Sequence, residues 1–301
     1  MQSIYFIDRQ TGKQQSELVF SESWLWALYG DSPVGRFLGR PLVYILAKRH
    51  LLSAVFGWYQ KQHCTARNIA PFVEKFGIDP SEFLQPTSDF HSFNEFFTRK
   101  LKPECRPIAS VDAVIPADGR FFFHQNSSEK TEFAIKNHRL NLSQLLQNKA
   151  LAARYRGGSL VLGRLCPTDY HRYHFPVTGR PSVSKRINGP LFSVNPVAIA
   201  RRATILMENK RCYCEIESPE FGRVIYGEVG ATNVGTICHT YSPGQAYQKG
   251  AEKGYFSFGG SALFLLFEPG RLQIDQDLLD ATVQGLEMRC LLGQSLGKAI
   301  I

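Results

Sequence analysis

Residues 259–267 read Gly259-Gly260-Ser261-Ala262-Leu263-Phe264-Leu265-Leu266-Phe267, and Pro269-Gly270 follows them. The run after the serine is short, apolar and ended by a turn sequence, so it predicts a buried strand. The two glycines permit positive φ and the close approach of another group. A serine hydroxyl at this point is well placed to attack the peptide bond before it. A tight turn into a core strand is the common alternative, because Gly-Gly turns occur without any chemistry.

The segments around this strand change character near residue 106. Residues 1–105 predict a mainly helical front, with helices over 70–76, ending at Gly77, and over 93–101, before Pro103. The later residues, 106–301, predict a β-rich catalytic body. The two parts together indicate an α+β fold, with a helical N-terminal region followed by the β-rich body.

Short apolar segments separated by turns predict the strands of that body. They are 113–115, 159–165, 183–187, 213–216, 223–228 and 261–267. A polar insertion at 129–156 predicts helix around 140–154. The periodicity of 275–292 is mixed and assigns no element.

The composition indicates a globular protein. With 301 residues, 44% of them hydrophobic and 20% charged, the chain can bury one large core or two modest ones. Its seven cysteines are an odd number without a CxxC pair, which disfavours both a zinc site and a disulfide framework. We therefore expect no metal and a reducing, cytoplasmic compartment. The first nine residues lack the basic start and apolar core of a secretory signal.

The net charge of +9 suggests an anionic partner. The excess of positive charge is concentrated in residues 31–67, which contain six basic residues and one acidic residue. The basic residues are Arg36, Arg40, Lys48, Arg49, Lys61 and Arg67. These charges divide an aromatic, apolar stretch into pieces shorter than the ~20 residues that a transmembrane helix needs. Such a segment can lie on an anionic membrane surface or pack on its own domain. Nucleic acid is disfavoured, because the aromatic residues lack a stacking pattern.

A serine that attacks a carbonyl needs a base, and the base needs an orienting acid. Two of the eight histidines lie three residues apart in Asp169-Tyr170-His171-Arg172-Tyr173-His174-Phe175-Pro176. The candidate acid is Asp118, in Pro116-Ala117-Asp118-Gly119. Taken singly, each has an ordinary alternative, a structural histidine or an Asp-Gly turn.

Five segments carry a further signal, in their order and spacing along the chain. They are Ser92-Phe93-Asn94-Glu95-Phe96-Phe97-Thr98-Arg99, Pro116-Ala117-Asp118-Gly119, Asp169 through Gly179, Leu191-Phe192-Ser193-Val194-Asn195-Pro196, and Lys249 through Ser261. Together they resemble the phosphatidylserine decarboxylase proenzymes. The cleavage motif departs from the family's commonest form, Leu-Gly-Ser-Thr, and looks like its second, type II-like subgroup. The Gly260-Ser261 pair itself is intact.

The resemblance implies self-cleavage. His174, positioned by Asp118, would take the Ser261 proton, and the serine oxygen would attack the Gly260 carbonyl. The resulting ester would eliminate to dehydroalanine, which becomes a covalent pyruvoyl group. Residues 1–260 and 261–301 would then remain together by packing, as a heterodimer of a large and a small chain.

The resemblance also implies the reaction. The pyruvoyl group (a pyruvate cofactor derived from Ser261) would form a Schiff base with phosphatidylserine and release CO2 and phosphatidylethanolamine. His171 would donate the proton that replaces the carboxylate. Residues 33–62 would dock the enzyme peripherally on the cytoplasmic side of the cell membrane.

Three other functions stay open. One is a pyruvoyl decarboxylase of a soluble amino acid, which would split but ignore lipid. Another is a serine hydrolase using Asp118, His174 and Ser261; it is disfavoured because Gly-Gly-Ser-Ala is not a Gly-x-Ser-x-Gly elbow. The third is a non-catalytic membrane-binding β-domain, which would neither split nor react.

Overall fold

A computed structural model describes residues 4–17, 50–126, 134–135, 138–195, 198–199, 204–231, 236–259 and 261–300. Residues 33–49 of the expected membrane-docking segment, and Gly260, lie outside the described residues. Within the described part the α+β prediction is confirmed. To the helical front the structure adds a strand hairpin at residues 5–16, which joins the main sheet because its first strand pairs with a strand near the C-terminus.

The helices of the described part are short. They span α1 His50–Tyr59, α2 Ile69–Phe76, α3 Phe93–Phe97, α4 Leu142–Leu146, α5 Lys149–Arg154, α6 Ile205–Glu208 and α7 Gln276–Val283. As predicted, α2 ends at Gly77, which has φ +59°. Helix α3 ends earlier than predicted, because Thr98 leaves the helical conformation with φ −93° and ψ 19°. The Thr98 hydroxyl donates to the Asn94 carbonyl at 3.1 Å. Gln147, with φ +46°, divides the single helix expected at 140–154 into α4 and α5.

The described strands account for every predicted strand segment. They are β1 Tyr5–Asp8, β2 Gln14–Ser16, β3 Ala113–Val114, β4 Gly119–His124, β5 Ala134–Ile135, β6 His138–Arg139, β7 Ser159–Leu165, β8 Arg172–His174, β9 Arg180–Pro181, β10 Lys185–Ile187, β11 Arg211–Ser218, β12 Gly222–Gly230, β13 Ile237–His239, β14 Glu252–Phe256, β15 Ser261–Phe267, β16 Leu272–Ile274, β17 Glu287–Cys290 and β18 Ser295–Ala299. The bounds of β7 and β15 match the prediction. The unassigned stretch 275–292 contains α7 and β17.

The main sheet has ten strands, nine of them in the order β10-β11-β12-β15-β7-β4-β17-β1-β2, with β9 beside β11. Strand β15 lies between β12 and β7 and is antiparallel to both. All seven of its residues are buried, because hydrophobic clusters cover both faces of the sheet. A strand covered on both faces reads as a continuous apolar run, as 261–267 does.

A three-stranded sheet, in the order β13-β14-β8, covers one face of the main sheet. Tyr173 of β8 and Phe256 of β14 point into the shared core, where the Tyr173 ring lies 6.1 Å from that of Tyr226 on β12. Leu263 and Leu265 belong to the same core, and residues two apart on a strand share a face, so the histidine segment lies over the face of the main sheet that bears Ser261.

The front helices surround a cluster of phenylalanines. Its buried members are Ile69, Phe72, Phe83, Phe90, Phe93, Phe96, Phe97 and Phe258. Phe258 belongs to the segment before Ser261, so the front packs directly on the cleavage segment. Among the residues that the structure describes, no helix has the length and apolar character to cross a membrane.

Candidate active site

Ser261 begins β15 in the middle of the main sheet, opposite Gly230 of β12 and Leu165 of β7. Its side chain is fully buried, and its Oγ has no hydrogen-bond partner among the described residues. Gly259 has φ +131°, a backbone conformation that glycine adopts without steric cost. Strand pairing therefore holds the serine, and a turn that requires glycine leads to it.

The two histidines flank the first residues of β8. The His171 Nδ1–H donates to the Asp169 carbonyl at 2.9 Å, and the His174 Nδ1–H donates to the Gly250 carbonyl at 2.9 Å. A carbonyl can only accept, so both neutral rings have their proton on Nδ1. The lone pair of each Nε2 is therefore available to take a proton.

Burial keeps both imidazoles neutral. It lowers the pKa of His171 to about 3, against the opposing charge of Asp169. It also lowers the pKa of His174, against the opposing charges of Glu252 and Asp118. In the described part of the chain, neither Nε2 has a hydrogen-bond partner, although both atoms are buried. A neutral imidazole with a free Nε2 is the form that a general base needs.

The Asp118 carboxylate, in the turn before β4, accepts hydrogen bonds from groups other than His174. Arg106 Nη2 donates to its Oδ2 at 2.7 Å, and the Leu292 N–H donates to its Oδ1 at 2.8 Å. Charge-assisted bonds of this kind outcompete a neutral imidazole. The direct contact expected between Asp118 and His174 is therefore not formed, and the Gly250 carbonyl orients the ring instead. Asp118 acts on His174 through space, by opposing the burial that lowers its pKa.

An aromatic contact joins the histidine segment to the cleavage segment. The Phe97 ring, at the end of α3, lies 3.8 Å from the His171 ring and 4.9 Å from the Phe258 ring, centroid to centroid. The Asn94 Oδ1 accepts from the Phe258 N–H at 3.1 Å. Phe97 and Asn94 were quoted only as part of a motif, without a role. The sequence feature that marks this helix is the Ser-x-x-Glu cap at its start, where the Ser92 Oγ accepts a hydrogen bond from the Glu95 N–H at 3.2 Å.

Buried ion pairs fix the turn before His171. Arg120 of β4 donates to the two Asp169 oxygens at 2.9 and 2.7 Å, and the Cys166 N–H donates to Oδ2 at 2.7 Å. Arg120 also pairs with Glu17 at 3.2 Å. Because Asp169 supplies the carbonyl that orients His171, this network positions the imidazole. No sequence pattern identifies Arg120, since its partner Asp169 lies 49 residues away along the chain.

A cavity of about 430 Å³ lies behind this turn. Its lining includes Asp118, Asp169, Tyr170, Arg99 and Arg106. Burial lowers the pKa of Arg99 to about 10, with Asp118 and Asp169 opposing that effect. The residues that line it do not include Ser261, His171 or His174.

Comparisons with known proteins agree with the resemblance that the sequence motifs show. The family model for phosphatidylserine decarboxylase matches residues 93–298. The chain is 44% identical to a phosphatidylserine decarboxylase proenzyme of Chlamydia pneumoniae, over 99% of this chain and 98% of that protein. It is 46% identical to the proenzyme of that name from Chlamydia muridarum, over 99% of this chain and 98% of that protein.

Proposed function

The chain belongs to the phosphatidylserine decarboxylase family, and we propose that it decarboxylates phosphatidylserine with a pyruvoyl group made from its own Ser261. The products are phosphatidylethanolamine and CO2. The structural observation that supports this is that Ser261 Oγ, His171 Nε2 and His174 Nε2 are all among the buried side-chain atoms without a hydrogen-bond partner in the described part. Buried polar atoms are normally satisfied, so three unsatisfied ones in the family's motif residues suggest a reacting site.

Self-cleavage begins with His174. Its Nε2 takes the Ser261 proton, and the Oγ attacks the Gly260 carbonyl, so that the amide becomes an ester. The proton passes to the Ser261 nitrogen. Elimination then releases the Gly260 carboxylate and leaves dehydroalanine, which hydrolyses to a pyruvoyl group with loss of ammonia. Asp118 assists by favouring the charged imidazole.

The pyruvoyl residue supplies a ketone that condenses with the substrate amine and accepts the electrons left when CO2 departs. The residues at its position fit it, since the buried Ser261 Oγ lacks a partner in the described part of the chain. His171 moves the proton that replaces CO2. Because its pKa of about 3 leaves the ring neutral, Nε2 must first take up that proton, and the imidazolium that results is a strong acid, which favours transfer to carbon.

After cleavage the two chains stay together as a heterodimer, in our proposal. Strand β15 of the small chain lies between β12 and β7, and β17 lies between β4 and β1, so large-chain strands flank both. Arg164 adds a two-fold ion pair to Glu287, at 2.7 and 2.6 Å. In the proposed organisation, residues 1–105 form the membrane-facing region and 106–301 the catalytic domain.

In our proposal, the protein binds peripherally to the anionic, cytoplasmic side of the cell membrane. Its support in the described part is α1, on which Val55, Trp58 and Tyr59 are 54%, 63% and 39% exposed. Aromatic and apolar side chains of this kind insert at the lipid headgroup level. The basic residues between 33 and 49 lie outside the described residues.

Denaturing intact-mass measurement tests the proposal. We expect two chains split after Gly260, the smaller starting with pyruvoyl, and CO2 release from phosphatidylserine vesicles but not from free serine. A single full-length chain would contradict self-cleavage. Splitting with activity on free serine alone would instead favour a decarboxylase of a soluble amino acid.

A further inference from the structure

An ion pair lies beside His174 on the three-stranded sheet. Arg172 Nη1 donates to Glu252 Oε1 and Oε2 at 3.0 and 2.9 Å. A further contact holds each charged group, since the Thr240 hydroxyl donates to Glu252 Oε1 at 3.1 Å and Arg172 Nε donates to the Thr98 carbonyl at 2.9 Å. The two side chains of the pair are 13% and 27% exposed, and pairs that are open to solvent contribute little to stability. Their fixed position therefore suggests a role other than stability.

The strand register places the acid of this pair next to the imidazole. Glu252 of β14 is directly opposite His174 of β8. The His174 N–H donates to the Pro116 carbonyl at 2.8 Å, so it points away from β14. The two opposed residues therefore form a pair without mutual hydrogen bonds, in which the Cα atoms approach to about 4.5 Å and the side chains are closest. Arg172, two positions before His174, lies on the same face about 7 Å along the strand.

Other groups also face His174 from the elements packed against it. The Gly250 carbonyl, before β14, accepts from its Nδ1–H at 2.9 Å. The ring of Tyr170, in the turn before β8, lies 6.0 Å away, and burial raises the pKa of its hydroxyl, so it is neutral. Asp118 contributes a negative charge, and Arg106 binds that carboxylate at 2.7 Å. Substitutions in the ion pair leave these groups in place, so the effect of the pair can be measured against them.

We propose that this ion pair sets the proton affinity of His174, and the inference rests on the proposed function. When His174 Nε2 takes the Ser261 proton, a buried imidazolium forms. The Glu252 carboxylate stabilises that charge, whereas Arg172 opposes it and so keeps the resting ring neutral. Glu252 acts through His174 without touching the reacting atoms, so it is a positioning residue.

The effect of each charge on the pKa of His174 has the sign that this role needs. Burial lowers that pKa, and Glu252 opposes the lowering more strongly than Asp118 opposes it or Arg172 adds to it. Loss of the Glu252 charge should therefore lower the pKa of His174, and loss of the Arg172 charge should raise it. A contribution to folding alone would not give opposite signs.

Titration of His174 by NMR tests the proposal. The protein carries histidine labelled with ¹³C at Cε1 and the substitution Ser261→Ala, which keeps it as one chain, and loss of one signal in His174→Asn assigns the resonance. In this background we expect Glu252→Gln to lower the titration midpoint by about one pH unit and Arg172→Gln to raise it by about as much, because each removes a charge close to the imidazole. The double variant should titrate near the parent. Unchanged midpoints, or two shifts of the same sign, would overturn the inference.

Matched variants separate charge from structure. Arg172→Lys keeps the positive charge and should titrate near the parent. Glu217→Gln, which breaks the exposed pair of Glu217 with Arg223, should leave the midpoint of His174 unchanged. Circular dichroism would show that each variant is folded, and either single substitution in the ion pair carries a sign of its own.

Self-splitting of chains that keep Ser261 connects the charge to the reaction. We expect E252Q to split about 3–10-fold more slowly than wild type at pH 7, because the rate of a general base follows part or all of a tenfold change in its proton affinity. E217Q should split like wild type. Splitting of E252Q at the wild-type rate would overturn the role of Glu252 in self-cleavage. Failure of the wild type to split would overturn the proposed function instead, and the titration midpoints would still decide the effect of the ion pair on His174.

Discussion

At the scale of single residues, the site depends on groups that are buried without charge. His171 is held by the Asp169 carbonyl and covered by the Phe97 ring, and burial lowers its pKa to about 3. The Asp118 carboxylate accepts from Arg106 rather than from His174. In the described part of the chain, the Ser261 Oγ and the Nε2 atoms of His171 and His174 are buried without a hydrogen-bond partner.

The pKa of His171 predicts a loss of stability in acid. The unfolded chain binds a proton near pH 6.5 and the folded chain near pH 3, so between these values the unfolded state binds more protons and stability falls as pH falls. From about pH 7 to about pH 5 this residue should remove about 2 kcal/mol of unfolding free energy. Urea unfolding in a Ser261→Ala background should show that His171→Asn lacks this part of the pH dependence. An equal dependence in both proteins would contradict the burial.

At the scale of elements, helix α3 supports both halves of the site. Phe97 contacts His171 and Phe258, whereas Phe83 packs on Phe90 and Phe96 in the same cluster. The two phenylalanines are similarly buried. Substitutions at Phe97 and Phe83 therefore distinguish the contribution of the cluster to stability from its effect on the site.

We expect Phe97→Ala and Phe83→Ala each to lower the unfolding free energy by about 3–5 kcal/mol, because each leaves a cavity. Only Phe97→Ala should also slow self-splitting, since it releases the Phe258 segment. Unfolding curves and the rate of appearance of the small chain give the two readouts. Equal splitting rates in both variants would show that α3 does not position the cleavage segment.

At the scale of the whole molecule, the proposed large and small chains are interleaved. Strands β15 and β17 each have large-chain neighbours on both sides, and the Arg164–Glu287 pair is buried within the same sheet. The hairpin β1–β2 adds Arg9 Nη2, 2.9 Å from Asp275 Oδ2. Separation of the chains should therefore require unfolding of the sheet.

We expect the processed chains to elute together in gel filtration and to separate only at the urea concentration that unfolds them. Glu287→Gln should lower the unfolding free energy by about 3 kcal/mol, because it breaks a buried pair. The exposed pair of Arg223 and Glu217 provides the control, and Glu217→Gln should cost about 0–1 kcal/mol. Release of the small chain before the unfolding transition would contradict interleaving.

The sequence alone determined the elements whose signals are local. Strand β15 was predicted to the residue, because its apolar run is bounded by Gly-Gly on one side and Pro-Gly on the other. The end of α2 followed from Gly77, and the start of α3 at Phe93 was also predicted. The motif residues Asp118, His171, His174 and Ser261 were likewise found from the sequence, although their roles remain proposals.

The tertiary structure alone decided how distant residues meet. The partners of Asp118 are 12 and 174 positions away, so no local pattern could assign them. The same holds for the Phe97–His171 contact and for Glu252 opposite His174, which follows from strand register. Local backbone preferences and apolar periodicity fix elements over a few residues, whereas pairing between strands and buried charges depends on the packing of the whole chain.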